Sequence, residues 1–137
     1  MNRLTKLLKD QRGSQLVEFI LTFPLVWMLI VFTFDQFTIL YNKQKALSAA
    51  YEAGRIASVQ PNYGLAQYYA SSRGEEELSQ AIGITDSDIR IKPVGSWQKG
   101  NHFKAVASIR FRLLATGQPY ELMESYQMMI ENAGGLP

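Results

Sequence analysis

A chain of 137 residues has room for one compact domain, and any residues spent on a membrane segment reduce what is left to build a core. Fourteen basic and twelve acidic residues leave a net charge of +2, but Arg3, Lys6, Lys9 and Arg12 all precede Gly13, where Asp10 is the one acid. The remainder is nearly neutral, so the basic pI belongs to the first dozen residues and does not indicate a nucleic-acid-binding surface, while the lack of cysteine excludes a disulfide framework and a thiolate metal site.

Residues 1–13 read as a basic leader. Behind them, residues 16–34 form a 19-residue apolar run interrupted only by Glu18, Thr22, Pro24 and Thr33. As a helix this run reaches roughly 28 Å, close to the ~30 Å hydrocarbon thickness of a bilayer. We therefore expect a transmembrane segment over residues 14–35. The basic cluster ahead of it places the N-terminus in the cytoplasm and everything after Asp35 outside. A cleavable secretory signal peptide fits the same outline less well. The run is longer than the usual span of about 7–15 residues, it carries Glu18, and the next small-x-small site, near Ala46 and Ser48, lies far beyond it.

Good helix formers continue past Asp35 without proline until Pro61. The expectation is one helix of roughly 44 residues, on the order of 65 Å, leaving the membrane and extending outward over residues 36–60. Pro24 removes one internal hydrogen bond and is a candidate kink. In the outer half Ala46, Ala50, Ala53 and Ala57 recur at intervals of four, three and four, setting small side chains along one face. Such a stripe admits another helix at close range, or it seats the helix against its own domain; the sequence leaves both open.

Residues 61–137 read as a small exterior α+β domain. Pro61, Asn62 and Gly64 mark a turn. Residues 65–83 then read as a short second helix whose Arg73-Gly74 centre is weak and whose Glu75, Glu76 and Glu77 form a solvated face or a helix start. From residue 89 the period changes to two. Ile89 and Ile91 alternate with Arg90 and Lys92. Ala105, Ala107, Ile109, Phe111 and Leu113 share a face opposite Lys104, Ser108, Arg110 and Arg112, with Val106 the exception. Residues 89–94 and 103–113 are thus expected as half-buried strands joined by a hairpin loop at 95–102. Residues 120–130 read as a third strand, with Leu122, Tyr126, Met128 and Ile130 on one parity, although their Glu and Met content also suits a helix. The last residues, from Asn132, read as a frayed tail.

Nothing in the pattern supports catalysis. His102, the one histidine, sits in a polar loop without a triad partner. Ser96 and Lys99 match an S-x-x-K spacing without its companion motifs. Asp86 and Asp88 offer too few oxygens for calcium and suit turn formation or capping. No cofactor, metal or small-molecule substrate is expected, and the chain reads as a non-enzyme.

The informative constellation is Arg12-Gly13-Ser14-Gln15-Leu16-Val17-Glu18-Phe19, at the junction of leader and apolar run. Cleavage between Gly13 and Ser14 creates a new α-amino group four residues from Glu18, on the same helical face. A carboxylate well inside hydrocarbon is penalised by something like a few kcal/mol, which a cationic neighbour lowers. That amine can equally come from an adjacent subunit, in which case the pair sets axial register. The alternative is that Glu18 lies near enough to the cytoplasmic face to reach the headgroups with no partner at all. Together with Phe23-Pro24-Leu25 and Ala49-Ala50-Tyr51-Glu52-Ala53-Gly54-Arg55-Ile56-Ala57, this segment resembles the TadE and TadF pseudopilins of tight-adherence (Flp) type IV pilus systems over residues 12–58. The resemblance implies cutting by prepilin peptidase after Gly13, a role for Glu18 and Phe19 in processing or assembly, and service as a minor pilin-like component alongside other pilins, the assembly platform and membrane lipid. The alternative is an unprocessed single-pass membrane protein whose exterior domain binds an envelope partner.

Overall fold

A computed structural model describes Lys6 and residues 11–132, with side chains from Arg12 onward. Most of the expected leader and the tail from Ala133 lie outside the described residues.

Helix α1 (Gln11–Ser58) runs unbroken for 48 residues, about 72 Å at the usual rise, and passes through Pro24. It has two environments. From Arg12 to Ile30 every side chain is exposed, whereas from Asp35 onward one face is buried against the rest of the chain. Helix α2 (Tyr63–Leu78) follows, then β1 (Ile84–Pro93), β2 (His102–Arg112) and β3 (Pro119–Met129), which form one antiparallel sheet in the order β1-β2-β3. The architecture is α+β, as the sequence implies, and residues 119–129 resolve as strand.

Element limits differ from the expectation for identifiable reasons. Asn62 is the N-cap of α2, extended in backbone, with its side-chain oxygen accepting from the Leu65 N–H at 2.9 Å, so the helix begins at Tyr63. It ends at Leu78 rather than residue 83: the Gln80 and Ala81 N–H groups donate only three residues back, to Glu77 and Leu78, and the chain then turns at Gly83, where φ is +67° and a Cβ would meet the Arg112 carbonyl oxygen at 2.6 Å. β1 starts five residues early, at Ile84, since β2 is long enough to pair with it down to Phe111, with a bulge between Ile84 and Asp86. Asp86 and Asp88 accordingly lie in the strand, not in a turn. Asp88 accepts from Arg90 Nε at 2.7 Å on the solvent face. His102 is the exposed first residue of β2, opposite Met129.

The core lies between α1, α2 and one face of the sheet. Most of the large side chains come from the strands, with Leu78 from α2: Ile89, Ile91, Phe103, Ile109 and Phe111 are almost wholly buried. Small ones come from the helices, where Ala46, Ala49, Ala50, Ala53 and Ala57 of α1 and Ala66 and Ala70 of α2 are fully buried. Burying each of the strand residues contributes about 1.5–3 kcal/mol. The alanines contribute less by area, and their part is to let backbones approach. Gly74 extends this to its limit, because a Cβ there would fall 2.6 Å from Ile89 Cδ1 and Cγ1. The middle of α2 is a packing contact, which is why a residue costly to the helix stands there.

Three polar side chains fasten the loops and the sheet edge. Asp35 Oδ1 accepts from the Ala115 and Thr116 N–H groups at 3.0 and 3.3 Å, and Oδ2 from the Thr116 hydroxyl at 2.7 Å, holding the β2–β3 turn against α1. One level up, fully buried Asn42 both donates to and accepts from Ile82, each at 2.8 Å, fixing the approach to β1. Gln67 of α2 closes the outer edge of β1, its amide donating to the Ile89 carbonyl at 2.7 Å and accepting from the Ile91 N–H at 2.8 Å. At the far end Trp97 Nε1 donates to Gln60 O at 3.0 Å, and the N–H of Glu131 donates to Ser58 O at 2.8 Å. The strands therefore run alongside α1 from Asp35 to its C-terminus.

Asn42→Ala strips the side-chain partner from both the N–H and the carbonyl of half-buried Ile82 and is expected to destabilise the domain by about 1–3 kcal/mol, read as a lower denaturation midpoint in detergent. Gly74→Ala gains helix propensity of about 1 kcal/mol but overpacks Ile89 by about 1–3 kcal/mol. The net expectation is a lower midpoint, and pairing it with Ile89→Val should recover part of the loss.

Candidate processing and assembly segment

The exposed half of α1 carries the residues singled out in the sequence. Gly13 and Ser14 are helical and exposed, within the first described turn of α1, so the bond between them is not in an open loop. A glycine weakens a helix by about 1 kcal/mol relative to alanine, and at this position it has little tertiary packing to offset it. Ser14 and Glu18 are four residues apart and share a face, with Glu18 exposed.

Phe19, beside Glu18, begins an arrangement the sequence reading did not single out. Its ring lies 5.7 Å from that of Phe23, which in turn stacks on Trp27 at 6.5 Å and 18°. The i, i+4 spacing of these three aromatics is the signal that reveals it. They form an aromatic strip along one side of the helix. Around it Leu21, Leu25, Met28 and Leu29 are all more than 60% exposed. An apolar surface of this extent is foreign to water. α1 is long and apolar enough to cross a membrane, and none of its most apolar 18-residue window is buried, which sets it apart from the core helix of a soluble domain.

The alanine stripe lies elsewhere. Ala46, Ala50, Ala53 and Ala57 are fully enclosed by the chain's own strands and α2. Of the two uses the sequence left open, seating the helix on its own domain is the one seen here. The structure thus separates the singled-out residues into two groups: Gly13, Ser14, Glu18 and Phe19 are on the exposed half, the alanines inside the domain.

Elsewhere the surface offers little for chemistry. Among the described residues no group of three or more His, Cys, Asp or Glu side chains is placed to hold a metal ion. The hollow over the outer sheet face, lined by Asp88, Arg90 and Ser108 among others, and the one beside the end of α1, lined by Tyr51, Arg55 and Met128 among others, are open to solvent. The carbonyl of Ser96 accepts from the Asn101 side chain, a loop-stabilising role.

The family described as TadE-like protein matches residues 13–55, beginning at the glycine of the Gly13-Ser14 bond and ending in the last turns of α1. No curated protein matches the chain. No solved structure matches it either. The matched segment spans both the exposed apolar half of α1 and its alanine-lined half, and over these residues the chain is similar to the TadE-like proteins of Tad pilus systems.

Proposed function

We propose that this chain is a minor pilin-like structural component of a Tad (Flp) type IV pilus system, held in the cytoplasmic membrane by α1 and cut by prepilin peptidase between Gly13 and Ser14. The observation that carries the proposal is the TadE-like match starting at Gly13 on a helix whose apolar half is left wholly uncovered. In this reading the leader stays in the cytoplasm, residues 14–35 cross the membrane, and the remainder faces outward. After cleavage the new amine at Ser14 lies one helical turn from Glu18, and the ion pair, within one subunit or between two, offsets the penalty of a carboxylate in hydrocarbon. The chain works by packing with other pilins, pseudopilins or the assembly platform, in pilus assembly, adhesion or secretion, and not by catalysis.

The helical state of the Gly13-Ser14 bond favours the other reading, an unprocessed single-pass protein whose exterior domain binds a partner. The two readings predict different masses. Intact mass spectrometry after co-expression with a prepilin peptidase is expected to show a chain beginning at Ser14; a chain retaining residues 1–13 there refutes the proposal.

Gly13→Val is expected to abolish that processing while leaving membrane insertion unchanged, as checked by mass and by fractionation. Glu18→Ala removes a charge that, unpaired within the span, disfavours insertion. It is therefore expected to insert at least as well as the parent but to lose cross-linked contacts with other pilus subunits, and Glu18→Asp should retain part of them.

A further inference from the structure

The β2–β3 turn presents an apolar tip that the domain does not cover. Leu114, within the loop between Arg112 and Pro119, is 54% exposed. From Leu113 to Pro119 the sequence is Leu-Leu-Ala-Thr-Gly-Gln-Pro, without a charge, and exposed Arg112 precedes it. What decides the meaning of this tip is its height along α1. Asp35 grips the turn through two backbone N–H groups and the Thr116 hydroxyl, and Asp35 is the residue immediately after the apolar run. One residue adds about 1.5 Å of rise to a run of roughly 28 Å, so the turn is pinned where a ~30 Å hydrocarbon layer ends.

From this geometry we infer that the β2–β3 turn is a second membrane-contacting element, with Leu114 seated among the lipid headgroups and upper acyl chains of the bilayer that α1 crosses. The inference rests on the membrane-spanning reading of α1. The neighbouring surface has the character of an interface belt: Phe37 and Tyr120 are 54% and 40% exposed, and aromatic rings of this kind favour the boundary between hydrocarbon and water. Arg112 adds a cation suited to lipid phosphate. The arrangement also accounts for an acid at the end of an apolar run. The turn encloses the Asp35 carboxylate, which is only 7% exposed, so the group meets three hydrogen-bond donors and not the lipid. The lipid surface is the occupant this placement favours, because exposed Leu114 lies on a turn that Asp35 holds at the level where the uncovered apolar surface of α1 ends.

The chain has no cysteine, so single cysteines can be introduced and spin-labelled in the full-length protein. Leu114→Cys, Leu25→Cys in the apolar run and Val94→Cys, which is 69% exposed at the far hairpin, are reconstituted in vesicles of phosphatidylethanolamine and phosphatidylglycerol. Collision of each label with lipid-soluble oxygen and with a water-soluble nickel chelate is then measured. The expected result is a label at residue 114 whose oxygen-to-nickel ratio is severalfold above that at 94 and below that at 25; Gln118→Cys, on the same turn, provides a second reading of the same depth. A label at 114 that behaves like 94 while 25 stays in lipid overturns the inference and leaves the anchor intact. A label at 25 exposed to nickel refutes the anchor reading itself. Shielding of 114 from both reagents means that protein covers the tip, a second copy for instance, and this also overturns the inference.

Discussion

The structure depends on how closely α1 can approach the sheet and α2. A helix whose inward face carried leucines would stand off by several ångströms and leave Phe103, Phe111 and the isoleucines of β1 half covered. Alanine at 46, 49, 50, 53 and 57 removes that obstacle, and the large side chains of the strands fill the interval from the other side. Gly54 and Gly74 apply the same rule where even a methyl group conflicts with a neighbour, Met128 in one case and Ile89 in the other. The cost of such a core is low buried area per helical residue. The polar fasteners Asp35, Asn42 and Gln67 compensate by tying backbone groups that would otherwise lack partners.

One helix therefore serves two solvents. Its first half offers apolar side chains outward on all sides, while its second half offers one face to a protein interior and another to water. No linker separates the two, because α1 continues without interruption from Gln11 to Ser58. In the proposed setting, displacement or rotation of the membrane-embedded part is transmitted directly to the exterior domain. The Asp35 and Asn42 contacts, both on the portion nearest the apolar run, resist bending at the junction.

Much of this was legible in the sequence, and the reasons are specific. The length and apolar character of residues 16–34 and the lack of proline between Asp35 and Pro61 define α1, and the alternation in residues 103–111, broken at Val106, defines β2. β1 was read only from Ile89, since Thr85, Asp86, Ser87 and Asp88 carry no alternating apolar signal; they are strand because β2 holds them there. The fasteners were missed because a side chain bonding a backbone forty or eighty residues away leaves no local trace. A signal was nonetheless present. Extending the alanine stripe backward at steps of three or four leads through Asn42 and Thr38 to Asp35, and polar residues continuing a buried stripe imply specific partners. For the exposed segment the order is reversed. Gly13, Ser14 and Glu18 stand out by residue type, and the fold adds only that they are helical and uncovered.

The Gln67 amide on the outer edge of β1 has a consequence for crowding. An unpaired strand edge is a template on which neighbouring sheets can add. Here the central donor and acceptor of one edge are already occupied by a side chain that imitates a strand, and the Tyr63 hydroxyl donates to a further β1 carbonyl at 3.1 Å. A neighbouring strand that paired with β1 at Ile89 and Ile91 would first have to displace Gln67 and Tyr63, which disfavours backbone-to-backbone addition at this edge.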